Sequence, residues 1–242
     1  EQRIAGATYL EIMAAGGGIR STVRATRSAS QRELLAEAGE RLDAMLRLGT
    51  TTVEIKTGYG LDSATEMKML AVIAALAENH PADIVPTFLA AHAIPPEYEG
   101  RADAYIDLVV ETMLPQAARW YAASPFARLG RQFCADAFCE AGAFTLEQSW
   151  RLLEAGRALG LGARAHVDEF HALGGVTMAV QLGALSADHL DVTSGAEIDL
   201  LAASDTIGVI MPAVNFHLGS AHYANARALI DAGAAVALAT DL

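Results

Sequence analysis

The stretch Arg164-Ala165-His166-Val167-Asp168-Glu169-Phe170-His171 places a histidine and two acids directly after the short β-rich run 161–165. The same arrangement recurs twice downstream, where His189 and Asp241 each follow another short β-rich run. In a (β/α) barrel the C-terminal ends of the strands converge on one mouth, where catalytic groups collect. The pattern therefore predicts a barrel that carries its functional residues at a single mouth.

Seven β-rich runs alternate with helix-sized intervals along the chain. They are 50–55, 84–90, 132–138, 161–165, 184–187, 206–211 and 234–239. This alternation predicts a parallel sheet with crossover helices, which is an α/β fold. A (β/α)8 TIM-type barrel needs one more strand, and the last run stands at the end of the chain. We therefore expect a truncated barrel without its first strand and last helix, in which residues 1–242 form a single catalytic domain, incomplete at both ends.

Four helix starts are predicted from Ser or Thr followed three residues later by Glu or Gln. In this capping box each residue of the pair accepts a hydrogen bond from a backbone N–H of the other. The pairs are Ser30–Glu33, Ser63–Glu66, Thr145–Gln148 and Ser194–Glu197.

Composition excludes several classes of function. A chain of 242 residues with 52% hydrophobic residues can bury a large core. The net charge of −12 argues against nucleic acid or an anionic membrane as a partner, and no apolar run is long enough to span a bilayer. Cys134 and Cys139 are expected on opposite faces of one strand, unpaired and buried. Two free thiols fit a reducing compartment, so we expect a cytoplasmic protein. We also expect its partner to be a small-molecule substrate.

The residues at the three strand ends predict metal chemistry. A histidine such as His166 with Glu169 three residues later suits a metal ligand beside a general acid/base, with Asp168 as the competing carboxylate. Asp241 follows an apolar run, and a carboxylate there needs a metal or a histidine as partner. With His189, the set can hold one divalent metal and move protons from its water, which indicates a hydrolase.

Two further predicted strand ends carry polar groups. Tyr59 lies in the string Lys56-Thr57-Gly58-Tyr59-Gly60, where glycines allow close backbone approach and the phenol offers a hydroxyl group. His92 lies in Ala91-His92-Ala93-Ile94-Pro95 and adds another imidazole at the mouth. The glycine run 16–18 with nearby arginines is interpreted as a loop that enters a helix, because no strand precedes it.

With these strings, the sequence resembles a known family, the imidazolonepropionases of the amidohydrolase superfamily. The resemblance runs in order along nearly the whole chain. It rests on six segments, which are residues 16–27, 56–61, 88–95, 138–140, 166–170 and 240–242. It implies a hydrolase of histidine degradation, which opens the ring of 4-imidazolone-5-propanoate to give N-formimino-L-glutamate.

The resemblance also implies roles for individual residues. His166 and Asp241 match two ligands of one divalent metal, zinc or iron. Glu169 matches the catalytic carboxylate, which also contacts substrate, and His189 matches the histidine beside the metal-bound water. Tyr59 and His92 match substrate-contacting positions.

The sequence departs from the family pattern in ways that leave alternatives open. The H-x-H pair that supplies the other two ligands is absent, since none of the seven histidines lie two residues apart. The flanking β-sandwich of the family is also missing. One alternative is another amidohydrolase, such as a cyclic-amidine or nucleobase deaminase. The other is a non-catalytic barrel fragment, inactive by itself, whose exposed strand edges invite pairing and make a homodimer one expectation.

Overall fold

The computed structural model describes residues 17–241. Two residues of the quoted motifs, Gly16 and Leu242, lie outside this range, as does the first part of the predicted domain 1–242.

Seven parallel strands form one sheet in the order β1 to β7. This confirms the seven predicted runs and their parallel arrangement. The strands are β1 Thr52–Lys56, β2 Asp83–Ala91, β3 Cys134–Cys139, β4 Gly162–Val167, β5 Ser186–His189, β6 Ile207–Ile210 and β7 Val236–Leu238. The strands therefore follow one another in space in the order of the chain, as crossover connections in a (β/α) barrel require.

Helices occupy the intervals between the strands. Within residues 17–241, two helices precede β1, and a short 3₁₀ turn (Pro96–Tyr98) and a π-helical turn (Val109–Met113) lie between β2 and β3. The α-helices are α1 Ile19–Ser28, α2 Gln31–Arg47, α3 Ser63–Asn79, α4 Ala102–Leu108, α5 Leu114–Ala123, α6 Pro125–Arg128, α7 Leu146–Ala158, α8 Gly175–Gln181, α9 Gly195–Ala202, α10 Pro212–His217 and α11 Ala226–Asp231.

Two of the four predicted capping boxes are complete, at α2 and α7. At α9, Ser194 caps the helix, but Glu197 contacts the serine hydroxyl at 3.2 Å instead of closing the box. The predicted box at α3 is wrong. Asp62 is the cap residue and accepts from the Thr65 amide at 2.8 Å, which leaves Glu66 free for another role.

The sheet is curled around a polar interior. The ammonium nitrogen of Lys56, in β1, lies 3.2 Å from a carboxylate oxygen of Asp188, in β5. Strands lie about 4.8 Å apart, so four steps across a flat sheet would separate these strands by about 19 Å. A lysine side chain cannot bridge that distance, and the contact therefore requires the curvature of a barrel.

The core lies between the helices and the outer face of the sheet. Its largest fully buried side chains include Tyr105, Phe88, Phe126 and Phe144. Cys134 and Cys139 are buried and unpaired, as predicted. No helix within residues 17–241 is both long enough and apolar enough to cross a membrane.

Candidate metal centre

Three predicted site residues meet at the C-terminal end of the sheet. His166 lies near the end of β4, His189 ends β5, and Asp241 follows β7. Potential ligand atoms of the three side chains all lie within 4.8 Å of one another. The two imidazole rings have centroids 5.4 Å apart and are buried, whereas Asp241 is exposed at the rim. We call these three residues the His-His-Asp cluster.

The backbone turns sharply where these strands end. Asp168, His189 and Asp241 have φ angles of 55°, 82° and 56°, in the left-handed region that residues other than glycine rarely adopt. Such conformations cost of order 1–3 kcal/mol each and concentrate at functional sites. Local backbone strain is thus found at the strand ends that the sequence singled out.

His166 is oriented by a carboxylate behind it. Its Nδ1 lies 3.0 Å from Oδ1 of Asp136, in β3, and since a carboxylate only accepts, Nδ1–H donates. Nε2 is then free to act as a metal ligand, the arrangement of a carboxylate–histidine–metal triad. Burial lowers the pKa of His166, but the charge and hydrogen bond of Asp136, together with the charge of Asp188, outweigh burial and raise it overall.

The chemistry of the cluster fits a divalent metal ion. Two imidazole nitrogens and one carboxylate oxygen are the donors found in catalytic sites of zinc and related ions. Nδ1 of His189 is buried without a hydrogen-bond partner among the described residues, which a ligand or a water molecule would satisfy. Burial, followed by the nearby His166, lowers the pKa of His189 well below its usual value, so the imidazole is neutral.

Glu169 stands on the rim of the cluster. Its Oε2 lies 3.8 Å from Nε2 of His189. Burial is the main cause that raises the pKa of Glu169 to about 8; Asp241 adds to the rise, while His166 opposes it. A carboxyl group with such a pKa can both accept and return a proton near neutral pH.

Neighbouring loops hold the segment that carries Glu169. Oε2 of Glu140, at the end of β3, accepts from the backbone amides of Phe170 and His171 at 2.9 and 3.1 Å. The competing carboxylate, Asp168, accepts from the Thr193 hydroxyl at 2.9 Å, and burial raises its pKa to about 6. Glu169 is thus flanked by fixed backbone on both sides. Glu140 was not predicted as a positioning residue from the sequence, although residues 138–140 carry part of the family resemblance.

Tyr59 and His92 lie together beside the cluster. Their rings meet edge to face with centroids 5.0 Å apart, and the His92 centroid is 6.3 Å from that of His166. Burial, with a contribution from Asp241, raises the pKa of Tyr59 to about 12, and burial lowers that of His92 to about 4. Both side chains are therefore neutral. A cavity of about 160 Å³ borders His92 and Arg20.

Glu66 fixes the loop that carries Tyr59. This buried carboxylate accepts from the backbone amides of Gly58, Gly60 and Leu61 at 2.9, 2.8 and 2.8 Å. The sequence predicted Glu66 to be part of a helix cap and did not predict this role. The sequence did contain a usable signal, because Asp62, one position before Ser63, is also a favourable cap residue. With Asp62 as the cap, Glu66 is free to bind the glycine-containing loop.

A charged network, which was not predicted from the sequence, fills the barrel interior below the cluster. Nζ of Lys56 lies 2.7 Å from Asp136, 3.2 Å from Asp188 and 3.2 Å from Glu54. Arg164 approaches Glu54 at 3.1 Å. Burial lowers the pKa of Lys56, but these three carboxylates outweigh burial and raise it.

Two other polar residues make contacts apart from the cluster. Asn215 donates to the backbone carbonyl of His222 at 2.6 Å, in a loop interaction. Arg27 donates to the Gly60 carbonyl at 2.7 Å, so it supports the Tyr59 loop. These contacts are structural.

The comparisons with known proteins agree with the resemblance seen in the sequence. The chain is 59% identical over 241 residues to the imidazolonepropionase of Chloroflexus aggregans, covering 100% of this chain and 56% of that protein. It is 53% identical over 241 residues to the imidazolonepropionase of Herpetosiphon aurantiacus, again covering 100% and 56%. The chain spans just over half the length of these curated relatives. No family model matches it.

Solved structures confirm the barrel type. An amidohydrolase from a Sargasso Sea environmental sample superposes with a TM-score of 0.61 at 21% identity, covering 89% of this chain and 50% of that one. A zinc-bound adenosine deaminase from Xanthomonas campestris gives a TM-score of 0.53 at 20% identity, with coverage of 95% and 48%. At these identities the likeness concerns the fold alone, which is a parallel (β/α) barrel.

Proposed function

We propose that this chain, a homologue of imidazolonepropionases along its whole length, belongs to a metal-dependent hydrolase that opens the ring of 4-imidazolone-5-propanoate. The product is N-formimino-L-glutamate. The observation that carries the proposal is the His-His-Asp cluster with Glu169 on its rim and Tyr59 and His92 beside it. That set joins ligands, a proton carrier and neutral hydrogen-bonding groups at one mouth.

We propose His166 and Asp241 as ligands of one divalent metal, zinc or iron, with His189 beside it. Histidine and aspartate donors suit both ions. When bound, the metal lowers the pKa of water and polarises a carbonyl group. The H-x-H pair implied by the resemblance is not among the 242 residues. A cytoplasmic location and a homodimeric state of the protein also remain predictions from the sequence.

Glu169 moves the proton in this scheme. Its carboxylate takes a proton from the attacking water as the water oxygen bonds to the ring carbonyl carbon. The same carboxyl group then gives that proton to the departing ring nitrogen as the carbon–nitrogen bond breaks. A pKa near 8 suits both transfers.

The neutral side chains orient the substrate and stabilise the charge that develops on it. The His189 imidazole lies 3.8 Å from the Glu169 carboxylate, and it can stabilise charge that develops on the carbonyl oxygen. Tyr59 donates from its phenol, and His92 offers an uncharged imidazole, so both can bind polar groups of the substrate without adding net charge.

Glu169→Gln in the protein that carries this chain tests the proposal. We expect ring opening to fall by about 10²–10⁴-fold, the usual contribution of a general acid/base, with unchanged metal content. Glu147→Gln, an exposed residue of α7, is the matched control and should leave turnover unchanged. Full activity in Glu169→Gln would refute its role. Release of ammonia from a heterocyclic amine, with no formimino product, would favour the deaminase alternative instead.

A further inference from the structure

Lys56 lies below the His-His-Asp cluster, where the proposed mechanism does not use it. Its side chain is 18% exposed, and its ammonium group is within 3.2 Å of three carboxylates. Two of those carboxylates, Asp136 and Asp188, are almost fully buried. Carboxylate oxygens are also ligands of divalent metal ions, so the ammonium group lies where several potential metal ligands converge.

We propose that the Lys56 ammonium occupies a second cation site, formed by the carboxylates of Asp136 and Asp188 beside His166, and thereby restricts the centre to one metal. The inference rests on the metal-binding part of the proposed function. It concerns a different group of side chains, of which only His166 is shared with the His-His-Asp cluster.

The donor atoms of this second group have the spacing of a metal site. Potential ligand atoms of Asp136, His166 and Asp188 all lie within 4.8 Å of one another, and all three residues are buried. Oδ1 of Asp188 has no hydrogen-bond partner among the described residues. The group therefore has an unused, buried ligand atom in addition to those that Lys56 engages.

The charges of the network require a cation at this point. Glu54, Asp136 and Asp188 carry three negative charges, and Arg164 supplies one positive charge through its contact with Glu54. Without Lys56, the buried carboxylate of Asp188 would lose its ion pair, and Asp136 would keep only its contact with His166. Uncompensated buried charges are strongly unfavourable, so the vacated position would attract another cation.

Lys56 also positions Asp136. One carboxylate oxygen of Asp136 faces Lys56 at 2.7 Å, and the other faces Nδ1 of His166 at 3.0 Å. Both oxygens are thus engaged, and Asp136 supports His166 without being available as a ligand. Lys56 is therefore a positioning residue, which acts on the metal through Asp136 and His166.

Lys56→Met tests the inference through metal stoichiometry. It keeps much of the length of the side chain and removes its charge. After loading with zinc and removal of free ion, elemental analysis should give about two metals per chain in Lys56→Met and one in the unchanged protein. Lys68→Met, which removes a lysine that contacts only backbone carbonyls in the described structure, is the control and should keep one metal.

A second variant separates a cation site from a general loss of order. Lys56→Met combined with Asp188→Asn removes one carboxylate of the site and should return the ratio to one metal. Folding of Lys56→Met that depends on added zinc, seen by circular dichroism, would also support the inference.

Three outcomes have distinct meanings. A folded Lys56→Met protein that keeps one metal would overturn the inference, and so would a variant that stays unfolded with zinc in excess. An unchanged protein that binds no metal would instead overturn the proposed metal-dependent function, before Lys56 is considered.

Discussion

Glu66→Gln is expected to loosen the loop that carries Tyr59. The carboxylate accepts from three backbone amides, with Gly60 and Leu61 on Oε1 and Gly58 on Oε2. A glutamine carbonyl can replace Oε1 and keep two of these bonds. Its NH₂ group then faces the Gly58 amide, so two donors meet in a buried position.

The size of the effect follows from that one unsatisfied donor. Leaving a buried N–H without an acceptor costs about 1–3 kcal/mol, and we expect Glu66→Gln to lower the free energy of unfolding by about 2 kcal/mol. Glu66→Ala leaves all three amides unsatisfied and should cost about 3–5 kcal/mol. Because Tyr59 lies within this loop, the KM for substrate should rise while metal content stays constant.

Urea denaturation followed by circular dichroism measures the change. Glu78→Gln is the matched control, since Glu78 is an exposed glutamate near the end of the same helix and pairs only loosely with Arg128 at 4.0 Å. Its stability should change by less than about 0.5 kcal/mol. A Glu66→Gln protein as stable as this control would show that the three hydrogen bonds do not hold the loop.

Two further substitutions probe the same mouth. Gly58→Ala should lower the free energy of unfolding by about 2–4 kcal/mol, since Gly58 has a φ of 101° and its new Cβ would lie 2.5 Å from the Leu89 carbonyl oxygen. Gly39→Ala, in the open middle of α2, is its control and should be neutral or slightly stabilising in the same urea titration. Glu140→Gln should lower kcat/KM by about 10–100-fold without loss of metal, because the loop that carries Glu169 shifts, whereas Glu147→Gln should match the parent in steady-state assays.

The strand order and the mouth were predictable because both depend on local sequence signals. Short β-rich runs separated by helix-sized intervals predict a parallel sheet, and each strand end brings its next polar residue to the same mouth. His166, His189 and Asp241 lie together for this reason. The amidohydrolase resemblance was likewise carried by motifs at those strand ends.

The supporting residues were not predicted, because their partners are distant in sequence. Lys56 and Asp136 are 80 residues apart, and no local pattern links them. The available signal was a period of two within the strands. Glu54 and Lys56 lie two residues apart in β1, as do Arg164 and His166 in β4, so each pair shares one face of the sheet. This spacing indicates a polar inner face in strands otherwise rich in small residues. Glu66 was misassigned because Asp62 competes with Ser63 for the helix cap.

The ion pair between Lys56 and Asp188 has a consequence for the order in which the chain is made. The two residues are 132 positions apart, so at about 5–20 residues per second a ribosome adds Asp188 about 7–26 s after Lys56. During that interval the ammonium group has only part of its final set of partners. Since burying a poorly paired charge is costly, we expect the first strand to stay hydrated on the nascent chain until the third and fifth strands emerge.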